Sequence, residues 1–380
     1  MPNAAFTTTL LAFLTAVSFG ATTPTPRACE APYYRYEDNV PGVYLVNFTD
    51  GYTLQQHFDT LGQTFDVTKL NTGYSANLTD DLLSEVRADC GVQFIEEDAL
   101  GLSPAEDDNN IDDFSQSSGF LDRRAKQKDA PWPLVQLSAS RQNPTDDTYY
   151  HVEDSGQGVD VYVLDSGINH PQDELTDDNG NDRIIDGFNY SNDLDYTDIG
   201  PAPGHGTRVA SAIGGKGYGV AKSVTLYNVK FFHNGFPDTL GFVRAMQAII
   251  RKHDARKTQS SFKGSVINMS FSLKKTLSSN KQLDLAYDAG ISLVAGAGNY
   301  GYGPNHHPST HPKVISVAGS TNGYIPWEEI GTGSNYGEKQ IDLWAPGRRL
   351  PLCNRNGKLY PSVGTSFAAG YVSGILAIFY

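Results

Sequence analysis

From about Ala130 onward, short Val- and Ile-rich runs alternate with amphipathic stretches. The apolar runs are GVDVYVLD (158–165), VTLYNVKFF (224–232), SVINMSF (265–271), ISLVAGA (291–297) and VISVAGS (314–320). Runs this apolar and this short read as strands buried on both faces. Between them, LGFVRAMQAIIRKH sets Phe242, Val243, Met246, Ile249 and Ile250 on one helical stripe, and KQLDLAYDAG supplies a helix that stops at Gly290. Buried strands alternating with helices predict an α/β fold, a parallel sheet flanked by helices. In such sheets functional residues gather beyond the carboxyl ends of the strands.

The N-terminal pattern differs. VPGVYLVNFTDG reads as a strand and turn, and GVQFIEED alternates like a strand. Between them, DLLSEVRADCG sets Leu82, Leu83 and Val86 at helical spacing and closes at Gly91. Residues 21–102 are therefore expected to form a small α+β domain, with its patterned part from 40 to 102. Residues 103–129 are acidic and Ser-rich at first, basic at the end, and lack an apolar period, which predicts an exposed linker. Within it, Arg123-Arg124 offers a target for a dibasic-cleaving protease. The remaining unit is 130–380.

Residues 1–20 carry an uncharged apolar stretch from Ala5 to Phe19, followed by small residues, the pattern of a secretory signal peptide. Elsewhere nothing approaches the roughly 18 apolar residues that span a bilayer, so export without membrane anchoring is expected. With 29 basic against 43 acidic residues the net charge is −14, which disfavours nucleic acid and anionic membranes as partners. Four sequons fit the exported route, at Asn47, Asn77, Asn189 and Asn268. The first three are glycosylation candidates; Asn268 lies in an apolar strand. Cys29, Cys90 and Cys353 allow one bridge and leave one thiol, with the pairing open.

In SLVAGAGNYGYG (292–303), Gly296, Gly298 and Gly301 spell the G-x-G-x-x-G of dinucleotide-binding folds. That fingerprint needs a helix immediately after the glycines, and here Pro304, Pro308 and Pro312 follow. The acidic residue expected roughly 20 positions on is missing, since Thr321 and Asn322 lie there. The nucleotide reading fails. His306, His307 and His311 form a local cluster with no adjacent acidic or Cys ligand. The Asp-rich DELTDDNGNDRIIDG misses the EF-hand template, because Leu175 stands five before Gly180. No metal ligands are assigned.

Three other stretches carry chemistry. VYVLDSGINHP puts Asp165 at the end of a buried strand, and GPAPGHGTRVASAIGG puts His205 at the start of a helix-like run. PSVGTSFAAGYVSGILAIFY puts Ser366 at the N-terminus of the last helix. Together these are the residue types of a nucleophile, its base and the carboxylate that orients the base. Residues 130–380 resemble the subtilisin-like serine proteases, nearest the proteinase-K-like branch. The matching motifs are DSG (165–167), HGT (205–207), GGKGYGVAK (214–222), NMS (268–270), AGAGN (295–299), SNYG (334–337), APG (345–347) and GTS (364–366). The N-terminal unit resembles that family's inhibitory propeptide, a ferredoxin-like α+β domain, through YSANLTDDLL and FIEED. APWPLVQLS (130–138) resembles the start of a mature enzyme.

The resemblance implies a secreted serine endopeptidase made as a zymogen. Its catalytic residues would be Asp165, His205 and Ser366, with Asn299 as an oxyanion donor. Ser270, Phe271, Ser272, Ala295, Gly296 and Ala297 would be backbone edges for an extended peptide, with the glycines leaving room for the substrate backbone. It implies peptide or protein substrates, the propeptide as intramolecular inhibitor, a monomer, no required cofactor, and a structural calcium at an unassigned loop site. A different class remains open, a catalytically inactive homologue that binds peptides or proteases.

The pattern departs from the family at four places. Arg208 follows HGT where the family has His; Phe367 and Gly370 replace the Met and Pro of G-T-S-M-A-x-P; and Ser270-Phe271-Ser272 replaces S-L-G. The chain also ends 14 residues after Ser366, where family members continue. The resemblance thus implies a truncated catalytic domain, or a non-functional fragment, with GILAIFY left as exposed apolar surface.

Overall fold

A computed structural model describes residues 29–102, 121–122, 126–139, 147–190, 195–198, 204–232, 235–301, 303, 306–329, 331–336 and 341–380. The expected signal peptide, Arg123-Arg124 and most of the expected cleavage region lie outside the described residues.

The N-terminal unit runs β1 (Tyr33–Tyr34), β2 (Asn39–Phe48), α1 (Leu54–Leu61), β3 (Thr68–Leu70), β4 (Gly73–Asn77), α2 (Asp80–Arg87) and β5 (Val92–Ala99). The spatial order β1-β5-β2-β4-β3 makes β2 to β5 a ferredoxin-like βαββαβ sheet. Val46, Tyr74, Val86 and Ile95 are fully buried in its core. Helix α1, which the apolar pattern did not announce, starts with a capping box between Thr53 and Gln56. A disulfide joins Cys29 to Cys90, and Cys353 is a buried free thiol in the larger unit.

The larger unit begins with β6 (Leu121–Asp122), β7 (Lys126–Gln127), α3 (Trp132–Ser138) and β8 (Tyr149–Tyr150). The expected linker is therefore not free to its end: β7 pairs with β8, and buried Gln127 donates to the Gly217 carbonyl and accepts from Lys222. The chain continues through β9 (Val159–Asp165), β10 (Ile184–Asn189), α4 (His205–Gly214), β11 (Thr225–Lys230), α5 (Thr239–Arg256), β12 (Gly264–Met269), α6 (Leu277–Asp288), β13 (Ser292–Gly296) and β14 (Ile315–Thr321). It closes with β15 (Ile325–Pro326), β16 (Leu343–Pro346), the hairpin β17 (Leu350–Cys353) and β18 (Leu359–Ser362), and α7 (Thr365–Phe379).

The main sheet has the order β10-β11-β9-β12-β13-β14-β15, with β16 also on β14, and β15 alone among these runs antiparallel. All seven residues of β9 are buried, as expected for a strand covered on both faces. Helices α4 and α7 pack on one face through Val209, Ala212, Ile213, Phe367 and Ala368. Helices α5 and α6 cover the other through Phe242, Met246, Ile249, Leu283 and Ala286. After β9 the chain first builds toward β11 and later toward β12, so a topological switch point lies beside the carboxyl end of β9.

The GILAIFY stretch is less exposed than expected. Gly374 and Ala377 are buried, Ile375, Leu376 and Ile378 pack against the core, and strong exposure is confined to Phe379 and Tyr380.

Candidate active site

Asp165 closes β9, at the switch point, and is fully buried. Its Oδ1 lies 2.8 Å from His205 Nδ1 and accepts from the Ser166 amide at 2.8 Å. A carboxylate on Nδ1 fixes the ring with the proton there, which leaves Nε2 as the basic nitrogen. His205 is the first residue of α4.

A second buried carboxylate, Asp198, had no motif to announce it. Its Oδ2 accepts from the Thr207 amide and hydroxyl, both at 2.9 Å, and its Oδ1 accepts from Ser166 Oγ at 2.7 Å. It thus ties the DSG turn to the HGT helix start. Burial holds its carboxyl above the usual range, opposed by these hydrogen bonds.

Ser366 is the second residue of α7 and 7 % exposed. Its hydroxyl donates to the Ser270 carbonyl at 3.3 Å, while Ser270 Oγ lies 2.9 Å from the Ser366 carbonyl and 2.8 Å from Asn268 Oδ1. Ser270 is therefore clasped to the serine helix and buried. The neighbouring Phe367 ring lies 5.6 Å from the His205 ring, which brings the starts of α4 and α7 together.

Asn299 accepts at Oδ1 from the Thr365 amide (2.9 Å) and hydroxyl (3.0 Å). With the carbonyl end so held, its Nδ2 points toward Gly364, 3.3 Å from where a β-carbon there would sit. Gly364 has φ 147°, a conformation that only glycine adopts without strain.

Gly296 and Gly298 of SLVAGAGNYGYG lie close against the protein's own groups. A β-carbon at Gly296 would lie 2.9 Å from Thr365 Oγ1, and one at Gly298 would lie 2.4 Å from Asn335 Nδ2. Ala295 and Gly296 pair within the sheet. The Ala297 amide donates to Val317, and its carbonyl accepts from Asn335. Phe271 is core, packed on Phe231 at 4.6 Å. Among the described residues, the Ser272 backbone meets a further extended strand outside the sheet.

That strand belongs to the chain itself. The tail of the N-terminal unit, Leu100–Leu102, runs antiparallel to two segments, bridging Leu100 to Asp238 and Leu102 to Ser272. The Gly101 amide donates to the Pro237 carbonyl at 2.7 Å, and the Leu102 amide donates to the Ser272 carbonyl at 2.9 Å. This is strand addition to two exposed edges. A β-carbon on Gly101 would sit 2.4 Å from the Ser272 oxygen, so here the glycine allowing close approach is on the bound strand. Pro237 and Asp238 were not singled out in the sequence, where they look like an ordinary helix start.

Behind this tail the N-terminal unit caps two helices of the larger one. Glu96 accepts from the amides of Leu277 and Ser278 at the start of α6, at 3.1 and 2.9 Å. Asp98 accepts from Leu240 at the start of α5 at 2.8 Å, and Asp238, the N-cap of that helix, accepts from Gly241. Asp98 and Asp238 are each 2 % exposed. Burial, and then the charge of Asp238, push the Asp98 carboxyl up to about 8. Burial likewise raises Glu96. Asn47 is 2 % exposed and donates to Ser278 Oγ at 2.9 Å, so a glycan there is incompatible with the assembled chain. Asn77 is exposed and Asn189 half-buried. His306, His307 and His311 do not converge: among the described residues no three His, Cys, Asp or Glu side chains are placed to hold one ion. No described helix is long and apolar enough to cross a membrane.

A parallel α/β sheet with an Asp–His pair at its switch point and a serine at a neighbouring helix start defines a serine endopeptidase of the subtilisin type. The model of the subtilase family matches residues 156–380, and the chain belongs to that family. It is similar to a subtilisin-like protease of Coccidioides posadasii (strain C735), at 32 % identity over 335 residues covering 85 % of this chain and 61 % of that protein. It is also similar to subtilisin-like protease 2 of Trichophyton verrucosum, at 31 % identity covering 90 % of this chain and 81 % of the relative. The crystal structure of a cold adapted subtilisin-like serine proteinase aligns with TM-score 0.55 and 28 % identity, over 66 % of this chain and 85 % of that one.

Proposed function

We propose that the chain is a secreted zymogen of a serine endopeptidase, with Asp165, His205 and Ser366 as its triad and residues 29–102 as its intramolecular inhibitor. The observation that carries the reading is the buried hydrogen bond from His205 Nδ1 to Asp165 Oδ1, at the switch point beside the serine helix.

The chemistry follows from the groups. The Ser366 hydroxyl turns from the Ser270 carbonyl toward His205 Nε2, which takes its proton as Oγ attacks a peptide carbonyl. Asp165 stabilises the imidazolium so formed. The carbonyl oxygen becomes an oxyanion at the positive end of α7, where the Ser366 amide and Asn299 Nδ2 would donate to it. His205 returns its proton to the leaving amine, and water then releases the acyl group by the same steps.

Latency rests on the tail Leu100–Leu102, which occupies the edges at Pro237 and Ser272 that an extended substrate would use. The proposal is tested by secreting the full chain beside a Ser366→Ala variant and sequencing the N-termini of the products. Self-maturation predicts cleavage of the wild type between Leu102 and Asp129 and an uncut variant. Equal processing of both would assign the cut to an external protease.

A further inference from the structure

Two of the departures from the family pattern touch each other. Arg208, the residue after HGT, is 1 % exposed. Its guanidinium carbon lies 5.3 Å from the ring centroid of Phe367, the residue after GTS, and 5.1 Å from that of Tyr360. The same Phe367 ring is 5.6 Å from His205. One aromatic ring thus separates the base from a buried cation, and Ser366 precedes that ring in the chain.

The hydrogen bonds of Arg208 give the contact a direction. Its Nε donates to the Gly204 carbonyl at 3.2 Å, beside the ordinary helical bond from its own amide to that oxygen at 3.0 Å. Its Nη1 donates to Ser362 Oγ at 3.3 Å, at the end of β18. A first helical turn has the fewest internal constraints, and His205 sits in it. Arg208 reaches back to fix that turn and across to fix the strand that leads into Ser366. The planar guanidinium stacks and donates in the same plane, which a shorter or tetrahedral group cannot reproduce.

We infer that Arg208 and Phe367 are a matched pair of positioning residues that sets the relative placement of His205 and Ser366, in the place of the His and Met of the family pattern. The inference rests on the serine peptidase reading. A His at 208 against Phe367 would leave the space of the longer side chain empty. A Met at 367 against Arg208 would remove the one of its two aromatic faces that also touches His205. Replacing both together removes the cation and the ring it stacks on at once, so the contact between them is lost once and not twice.

The test is a double-mutant cycle on the secreted product of the full chain, with Arg208→His, Phe367→Met and both together, beside wild type and Ser366→Ala. Initial rates on a chromogenic peptide are expressed per folded molecule, and the acylation burst is followed to separate chemistry from binding. Each single change is expected to lower kcat and the burst rate at least tenfold with KM within twofold, and the double variant to fall no further than the larger single loss. Losses that multiply in the double variant, or that fall on KM alone, would overturn the inference. Arg208→Lys, which keeps the charge but not the plane, should show the same single loss. An unchanged rate there would reduce the pair to charge alone and overturn the matching. If no singly or doubly substituted chain folds, the pair is a folding requirement and the positioning role is rejected. An inactive wild type, or a Ser366→Ala variant as active as wild type, would instead reject the serine peptidase reading itself.

Discussion

Asp98→Asn isolates the carboxylate pair that joins the N-terminal unit to α5. Asp98 belongs to one unit and Asp238 to the other, both are buried, and they accept from neighbouring amides of the same helix start. Two carboxylates so placed resist double ionisation, and burial with the neighbouring charge lifts Asp98 from 3.8 to about 8. The sign follows from linkage. A carboxyl whose pKa is higher in the assembled state stabilises assembly fully below its free value, and that stabilisation is lost as pH rises to the assembled value. The junction therefore weakens from about pH 4 to about pH 8, by at most about tenfold per pH unit for one proton, and no further above. Asparagine keeps the acceptor for Leu240 and removes the proton. The assay is hydrogen exchange of the Leu240 amide in the Ser366→Ala chain, corrected for intrinsic rates, which reports opening of this junction alone. Between pH 5 and 8 the protection factor should fall steeply with Asp98 present and much less steeply in Asp98→Asn, where Glu96, also raised by burial, still titrates. Asp238→Asn, which removes the like charge, should end the fall at a lower pH. Parallel profiles for the first two chains would refute the argument.

Three further outcomes are expected. Asn299→Ala should leave KM within twofold and lower kcat by about 10²–10³, a magnitude carried over from the corresponding donor in subtilisin; steady-state kinetics checks it. Gly101→Ala sets a β-carbon against the Ser272 carbonyl and should unseat the tail, seen as at least tenfold faster exchange of the Leu102 amide and as earlier proteolytic activity after secretion. Glu96→Ala leaves Thr276 to cap α6 and removes the acceptors of the Leu277 and Ser278 amides, which should cost about 1–2 kcal/mol, measured as a lower melting temperature of the Ser366→Ala chain.

The sheet was legible in the sequence because strands covered on both faces must be apolar throughout, as in VYVLD. The positions proposed for the triad, Asp165, His205 and Ser366, stand out in the sequence because short motifs surround each one. What escaped depends on segments far apart in sequence meeting in space. Asp198 is an ordinary acidic loop residue until it meets Ser166 and Thr207. Pro237 and Asp238 become a binding edge only when Leu100–Leu102 lies beside them. Glu96 and Asp98, read only as part of a strand, face helix starts in the other unit. Asn47 carries a sequon that packing against Ser278 closes. The groups packed against Gly296 and Gly298, Thr365 and Asn335, likewise come from distant segments.

The central claim is that Ser366 is a nucleophile activated by His205. Labelling of the secreted product with a fluorophosphonate probe, followed by peptide mapping, tests it most directly. One modified residue is expected, Ser366, with labelling abolished in Ser366→Ala and slowed at least a thousandfold in His205→Ala. Equal labelling of the wild type and Ser366→Ala, or no labelling of folded wild type, would contradict it.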